Sequence, residues 1–307
     1  MRNCRFLSLI SVFCPIAFCV LAAICLLPSR AATADTFEWT GGAGSSDWND
    51  AGNWSNTTPG GTDADGIPDL DDTARFTANA MAAGGSAENL TVQAGVNVEV
   101  GNGGNTGSII VGSTITNSGE IGFQADTSNS TSLGADQAIV IDSEVNLEGG
   151  GTVRFTDSQS GIRSANGLGV LTNVDNTIRG AGSIGSQFSD LSINNQGTIV
   201  AEGGTLSLTR TTLDNTDGLI NVLLDGSDFA TSGSLDFSGS ADLDGELGLV
   251  VGALLDAEAG DTFRILDAAT LNGTQFDSIN FEATGAFEFD VIFGTDFVDV
   301  EVLSVDP

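Results

Sequence analysis

The chain has 307 residues, with 41 acidic residues against nine arginines and no lysine, histidine or tyrosine. A surface this negative repels phosphate backbones, anionic lipids and acidic polysaccharides, so nucleic acid is not expected as a partner, whereas divalent cations are favoured. Hydrophobic residues make up 40% of the sequence, which supplies enough apolar surface for a folded core and argues against a disordered chain.

Residues 1–34 are predicted to be an export signal. Arg2 and Arg5 give a short positive region, residues 6–27 carry no charge, and residues 32–34 (Ala-Thr-Ala) supply the small side chains of a cleavage site. We therefore expect the mature chain to begin near Asp35 and to reach the cell surface or the extracellular space, with the periplasm and outer membrane as further destinations. The uncharged run is long enough to span a bilayer, so an uncleaved anchor is the alternative, and contact with a membrane is expected only in that case.

All four cysteines lie inside this predicted signal. Large residues, Phe18 and Ile24, precede Cys19 and Cys25, whereas a lipid-attachment cysteine normally follows a small residue. We interpret the cysteines as small apolar residues of the signal. The mature chain is then expected to have neither disulfides nor a thiolate metal site.

Residues 35–86 are predicted to form an N-terminal cap rich in tryptophan. Trp39, Trp48 and Trp54 lie close together in the sequence, and an Asp-Ala-Gly-Asn turn separates the last two. This pattern is typical of a hairpin whose rings pack against the end of a larger body. The alternative is that the three rings are exposed and form a stacking platform for neutral glycans.

The same cap contains an acidic loop. Its sequence from Asp63 to Asp72 resembles the calcium-binding aspartate repeats of thrombospondin type 3 modules. The resemblance implies that Ca²⁺ is held by carboxylates of the loop, which are those of Asp63, Asp65, Asp69, Asp71 and Asp72. A solvated acidic turn is the alternative, because the loop is not a complete EF-hand: Ala74 stands where the bidentate glutamate belongs.

Residues 87–234 contain an irregular repeat. Asn173, Asn195 and Asn215 are 22 and 20 residues apart, and each is followed by a glycine or an asparagine and then a strand-like segment. This spacing matches one turn of a parallel β-solenoid, of which about six or seven rungs would fit. Asparagines at such corners are expected to stack and to hydrogen-bond along the solenoid axis.

Residues 235–307 carry longer strands with more aromatic residues. Apolar and acidic residues alternate in residues 287–293 and 297–302. Such alternation predicts antiparallel strands with one solvated face. A segment of this kind would close the open end of a solenoid and protect its edge.

Three stretches together resemble a family of secreted bacterial proteins with autotransporter-like or adhesin-like right-handed β-helices: the opening from Trp39 to Ser55, the repeat in residues 171–199, and residues 260–279. The resemblance implies an all-β fold, a right-handed parallel β-helix (β-solenoid) with an N-terminal Trp-rich cap and a C-terminal antiparallel β segment. It also implies a structural or adhesive role, with extracellular matrix or surface components as partners.

Catalysis is not expected. Hydrolases of this fold need paired aspartates near a histidine and a lysine, and calcium-dependent lyases need a basic residue that takes up a proton. Histidine and lysine are absent, and arginine holds its proton too firmly to act as a general base. The sequence therefore predicts a secreted or cell-surface structural or adhesion protein. A neutral-glycan-binding module that uses Trp39, Trp48 and Trp54 is the alternative, and a polysaccharide-degrading β-helix enzyme is the third interpretation.

Overall fold

The computed structural model describes residues 34–101, 107–124, 137–226, 232–282 and 287–305, and the predicted signal lies outside them except for Ala34. These residues form 26 β-strands and one short 3₁₀ helix, Ala51–Asn53, without an α-helix in the described ranges. The same ranges hold no helix with the length and hydropathy that a membrane crossing requires. The prediction of an all-β fold is confirmed.

In chain order, the first thirteen strands are β1 (Thr36–Trp39), β2 (Trp54–Asn56), β3 (Thr73–Phe76), β4 (Ala80–Ala82), β5 (Gly85–Val92), β6 (Asn97–Val100), β7 (Gly107–Asn117), β8 (Glu120–Phe123), β9 (Gln137–Ile141), β10 (Glu144–Glu148), β11 (Thr152–Arg154), β12 (Ser160–Ser164) and β13 (Leu168–Asn173). The other thirteen are β14 (Thr177–Arg179), β15 (Ser183–Gly185), β16 (Asp190–Asn195), β17 (Thr198–Ala201), β18 (Thr205–Thr209), β19 (Thr211–Asp214), β20 (Leu219–Leu224), β21 (Ser234–Phe237), β22 (Glu246–Val251), β23 (Thr262–Asp267), β24 (Ser278–Glu282), β25 (Phe287–Phe293) and β26 (Phe297–Val305).

Nine strands form one wholly parallel sheet, in the order β4-β6-β8-β11-β14-β17-β20-β22-β24. The pairing register places one apolar residue of each strand above that of the preceding strand. This apolar column consists of Ala80, Val98, Ile121, Val153, Ile178, Ile199, Ile220, Leu247 and Ile279. Because β-branched and leucine side chains pack well on a pleated surface, the column stabilises the stacking of the strands.

The second sheet has seventeen strands and contains two parallel runs. One run is β1, β3, β5, β7, β10, β13, β16 and β19, and the other is β5, β7, β9, β12, β15, β18, β21 and β23. The long strands β5 and β7 pair along both of their halves and belong to both runs, which separate beyond β7 because its first half pairs with β9 and its second half with β10. From β7 to β21, consecutive strands belong in turn to the first run, the nine-stranded sheet and the second run, and their apolar sides enclose the main core. Ala138 and Val140 on β9 form a second, small buried cluster.

Antiparallel pairs occur at both ends of the chain. β2 pairs with β1, while β26 pairs with β23 and β25. The antiparallel arrangement predicted for residues 287–293 and 297–302 is therefore confirmed.

The parallel sheets are longer than the repeat suggested. The nine-stranded sheet begins in residues assigned to the cap and ends in residues assigned to the C-terminal segment, so it continues through the predicted boundaries after residues 86 and 234. Strands β4, β22 and β24 pair like the others but lie outside residues 87–234, in which the repeat was recognised.

Candidate functional site

The three tryptophans form one buried cluster at the N-terminal end. Trp39 lies on β1 opposite Trp54 on β2. The ring centroids of Trp39 and Trp54 are 4.9 Å apart and those of Trp48 and Trp54 are 4.7 Å apart, both in edge-to-face geometry. Each indole is at most 8% exposed. The structure therefore shows the packing arrangement, whereas a stacking platform for sugars needs an exposed ring face.

The polar ends of two indoles are also satisfied inside the protein. Trp48 donates from Nε1 to the carbonyl oxygen of Pro68 at 3.0 Å, and Trp54 donates from Nε1 to the carbonyl oxygen of Trp48 at 2.8 Å. The first of these hydrogen bonds ties the acidic loop to the cluster, since Pro68 lies within that loop. The loop is thus anchored at its middle to the core.

The predicted calcium ligands have different environments. Asp65 and Asp69 are exposed, and each accepts a backbone hydrogen bond from the residue two positions later, at 3.0 and 2.8 Å. Asp71 is exposed, whereas Asp72 is only 3% exposed. Within the described ranges, no three acidic side chains are placed to hold one metal ion. The loop carboxylates mainly shape turns, as they do in Asx-turns.

One further carboxylate, which sequence reasoning missed, belongs to this region. Asp35 is fully buried, and its Oδ2 accepts hydrogen bonds from Asn56 Nδ2 at 2.8 Å and from the backbone N–H of Asp63 at 3.1 Å. The backbone N–H of Asp35 donates to Asp72 Oδ1 at 2.8 Å. Asp35 and Asp72 are buried, Asp63 is half-buried, and backbone N–H groups link the three residues, which we call the buried carboxylate cluster. No local sequence motif could have revealed it, because Asp35 lies 28 and 37 residues from its two partners.

This cluster is incompletely satisfied. Asp35 Oδ1 and Asp63 Oδ2 are buried without a hydrogen-bond partner. The hydrogen bond from the Asp63 N–H lowers the pKa of Asp35, whereas burial raises the pKa of Asp63 and of Asp72, and the neighbouring Asp65 raises that of Asp63 further. Orphaned buried oxygens favour a cation nearby. Of the implied calcium ligands, Asp63 fits a bound cation because it has such an oxygen. Asp65 and Asp69 fit less well, because their carboxylates already accept hydrogen bonds from the backbone of their turns.

Asparagines form a buried column between successive strands. Asn173 donates from Nδ2 to Asn195 Oδ1, Asn195 donates in the same way to Asn215, and Asn215 donates to the carbonyl oxygen of Asp244 at 2.9 Å. The three asparagine side chains are fully buried. The predicted hydrogen bonding between stacked asparagines is confirmed.

A polar groove of about 470 Å³ lies along the turns that precede β4, β6, β8 and β11. Its walls are backbone and small polar side chains, and its lining residues are Asn79, Gly95, Val96, Asn97, Ser118, Gly119, Glu120, Gly150, Gly151 and Thr152. Asn97 Oδ1 is buried without a partner. The groove was not predicted, because four turns that are distant in the sequence create it.

Glu120, the acidic residue that lines this groove, is held in an ion pair with Arg154. Arg154 donates from Nε to Glu120 at 2.7 Å and from Nη2 to Glu99 at 3.1 Å. Glu120 is thus held by Arg154, and the groove offers hydrogen-bonding groups for a polar ligand.

Comparison with known proteins adds no relative: no protein-family model matches the sequence, and no curated protein matches it either.

Proposed function

We propose that this chain is an exported structural or adhesive protein of the bacterial cell surface, built as a right-handed parallel β-helix and without catalytic activity. The observation that carries the proposal is the nine-stranded parallel sheet with its continuous apolar column. In a solenoid, each turn of the chain adds one strand to each of several parallel stacks, and here successive strands join the first run, the nine-stranded sheet and the second run in turn. Such a stack, roughly 40 Å long at about 4.8 Å per strand, is a rigid body suited to holding other components apart or together.

The ends of the stack support a role outside the cell as a free-standing body. The tryptophan cluster lies at the N-terminal end, and the antiparallel strands β25 and β26 extend the run that ends in β23. Added antiparallel strands hinder edge-to-edge aggregation at that run. The acidic surface leaves neutral or cationic matrix and surface components as partners.

Fractionation of a culture that produces the full chain tests this proposal. We expect the protein in the medium or on the cell surface, with a mature terminus at Asp35 by mass spectrometry. The purified protein should give an elongated particle in X-ray scattering and a circular dichroism spectrum without helix. An intact signal segment in the inner membrane, or a compact sphere, would contradict the proposal.

Calcium binding at the acidic loop is part of this proposal. The buried, unpartnered Asp63 Oδ2 and the mutual repulsion of the loop carboxylates support it. Asp63 would contribute to a site with its neighbours in the loop, where calcium would supply positive charge.

Neutral-glycan binding is the second candidate function, and the polar groove favours it over the buried tryptophans. Amide and hydroxyl groups such as those of Asn97 and Thr152 are suited to sugar hydroxyls. An array of neutral oligosaccharides probed with the mature protein tests this candidate. We expect any binding to weaken on Asn97→Ala and to be unaffected by Trp54→Phe. Binding that depends on Trp54 alone would exclude the groove.

A further inference from the structure

We infer that cleavage between Ala34 and Asp35 completes the fold, because the new terminal ammonium group supplies the missing cation of the buried carboxylate cluster. The backbone nitrogen of Asp35 lies 2.8 Å from Oδ1 of Asp72, and this contact is buried. A terminal ammonium formed on this nitrogen therefore stands within hydrogen-bonding distance of a carboxylate that is 3% exposed.

The cluster needs positive charge from some source. Asp35 and Asp72 are buried and Asp63 is half-buried, and one oxygen of Asp35 and one of Asp63 lack partners. In the described part of the chain, the arginine ion pairs involve Arg154, Arg179, Arg210 and Arg264, and none of them reaches the cluster. Buried carboxylates without a counter-charge are costly, whereas a charge-assisted hydrogen bond stabilises them.

The chemistry of processing provides this charge. Hydrolysis breaks the bond between the carbonyl carbon of Ala34 and the nitrogen of Asp35. Water gives its hydroxyl to Ala34 and a proton to the nitrogen, which takes up a further proton at neutral pH because α-amino groups have pKa values of about 7.7–8.0. Ala34 is exposed, so the bond is at the surface of the described structure.

Position is as important as charge. If the chain instead begins at Ala34, it carries the same ammonium group, but its terminal α-carbon lies about 3.8 Å further along the chain than that of Asp35. The nitrogen of Asp35 then remains an amide N–H that faces Asp72. A neutral amide donor gives a weaker hydrogen bond to a carboxylate than an ammonium does. The sequence therefore selects one cleavage site for the stability of the product as well as for recognition by the peptidase.

This inference rests on the proposed export of the chain, but its test does not. Two chains, residues 35–307 and residues 34–307, are released from a fusion partner by a protease that leaves no extra residue. Each is made with Asp72 and with Asp72→Asn, and melting temperatures are measured at pH 6.5. The two chains carry equal charge and differ only in Ala34 and, with it, in the position of the ammonium.

We expect the chain that begins at Asp35 to melt about 2–4 °C higher than the chain that retains Ala34. Asp72→Asn should remove most of this difference, whereas Asp71→Asn, which alters an exposed neighbour, should preserve it. N-acetylation of the 35–307 chain leaves every side chain unchanged and should lower its melting temperature to that of the longer chain. This keeps the test decisive if Asp72→Asn does not fold.

Equal melting temperatures for the two chains, or a difference that survives Asp72→Asn, would overturn the inference. If cultures yield no chain that begins at Asp35, the proposed export is contradicted, but the comparison of melting temperatures still tests the role of the ammonium group. The two failures are therefore distinguishable.

Discussion

Asn195 donates a hydrogen bond from Nδ2 to Oδ1 of Asn215 at 2.7 Å, and its own Oδ1 accepts one from Asn173 at 2.8 Å. These residues occupy equivalent positions 22 and 20 residues apart, at the ends of β13 and β16 and just after β19. Each amide therefore satisfies the next one in a place that water does not reach. The column fixes the register of three successive strands, because a shift of one residue would leave buried amides unpaired.

Replacement of Asn195 by alanine should be strongly destabilising. It removes the hydrogen bonds of the Asn195 amide with Asn173, Asn215 and the carbonyl oxygens of Gly197 and Leu219. Because Asn215 Oδ1 then lacks its amide donor, we expect a loss of about 2–4 kcal/mol in the free energy of unfolding, measured by urea denaturation. Asn194→Ala changes the adjacent, half-buried residue and should cost about 0.5 kcal/mol or less. Equal losses in both variants would show that the column carries no special stability.

Gly85 should not tolerate a side chain. A β-carbon placed there would stand 1.9 Å from Cγ of Trp48, so Gly85→Ala has to displace a fully buried indole. We expect a loss of about 1–3 kcal/mol and a red shift of tryptophan emission. Gly239→Ala is the matched control, because its β-carbon meets nothing within 4 Å. An unchanged melting temperature for Gly85→Ala would mean that Trp48 is not seated on this glycine.

The native tryptophan fluorescence should resist quenching by acrylamide, since Trp39, Trp48 and Trp54 are all buried. Phe188 is 80% exposed, so the variant Phe188→Trp adds one accessible indole and should raise the quenching constant several-fold. Strong quenching of the unmodified protein would instead indicate accessible indole rings and favour the tryptophans as a stacking platform for glycans.

Calcium should raise the melting temperature at constant ionic strength if the acidic loop binds it. An ion that binds only the folded form stabilises it by about 2.7 kcal/mol at a hundredfold excess over the dissociation constant. Magnesium should have a smaller effect, because it keeps its waters and demands stricter geometry. Asp63→Asn should abolish the calcium effect, because its buried oxygen lacks a partner, whereas the double variant Asp65→Ala and Asp69→Ala should weaken the effect. An absent effect, or one that survives Asp63→Asn, would identify the loop as a solvated acidic turn.

The sequence predicted those parts of the fold that depend on local periodicity. Alternation in residues 287–293 and 297–302 predicted their antiparallel strands, and the spacing of Asn173 and Asn195 indicated that these two residues stack. Period-two patterns and repeated corners are visible in any single chain, because they involve residues close together or equally spaced.

The candidate sites were less predictable, because they depend on contacts without a repeat. Asp35 contacts a loop that is 28 residues away at its nearest point, and nothing near Asp35 marks it as buried. The groove beside Asn97 likewise arises from the spacing between turns. The environment of the acidic loop was also invisible in its motif, which does not distinguish the buried Asp72 from the exposed Asp71.

The last residue in the apolar column of the nine-stranded sheet is more exposed to solvent than the residues before it. Its members from Val98 to Leu247 are at most 1% exposed, whereas Ile279 on the last strand is 36% exposed. Since each strand exchanges backbone hydrogen bonds only with its immediate neighbours, opening at that end does not require the rest of the column to open. Amide hydrogen exchange should therefore be fastest in β24 and become progressively slower toward β14. Thermal unfolding is then expected to begin at β24 and to remove strands from that end before the remaining stack unfolds.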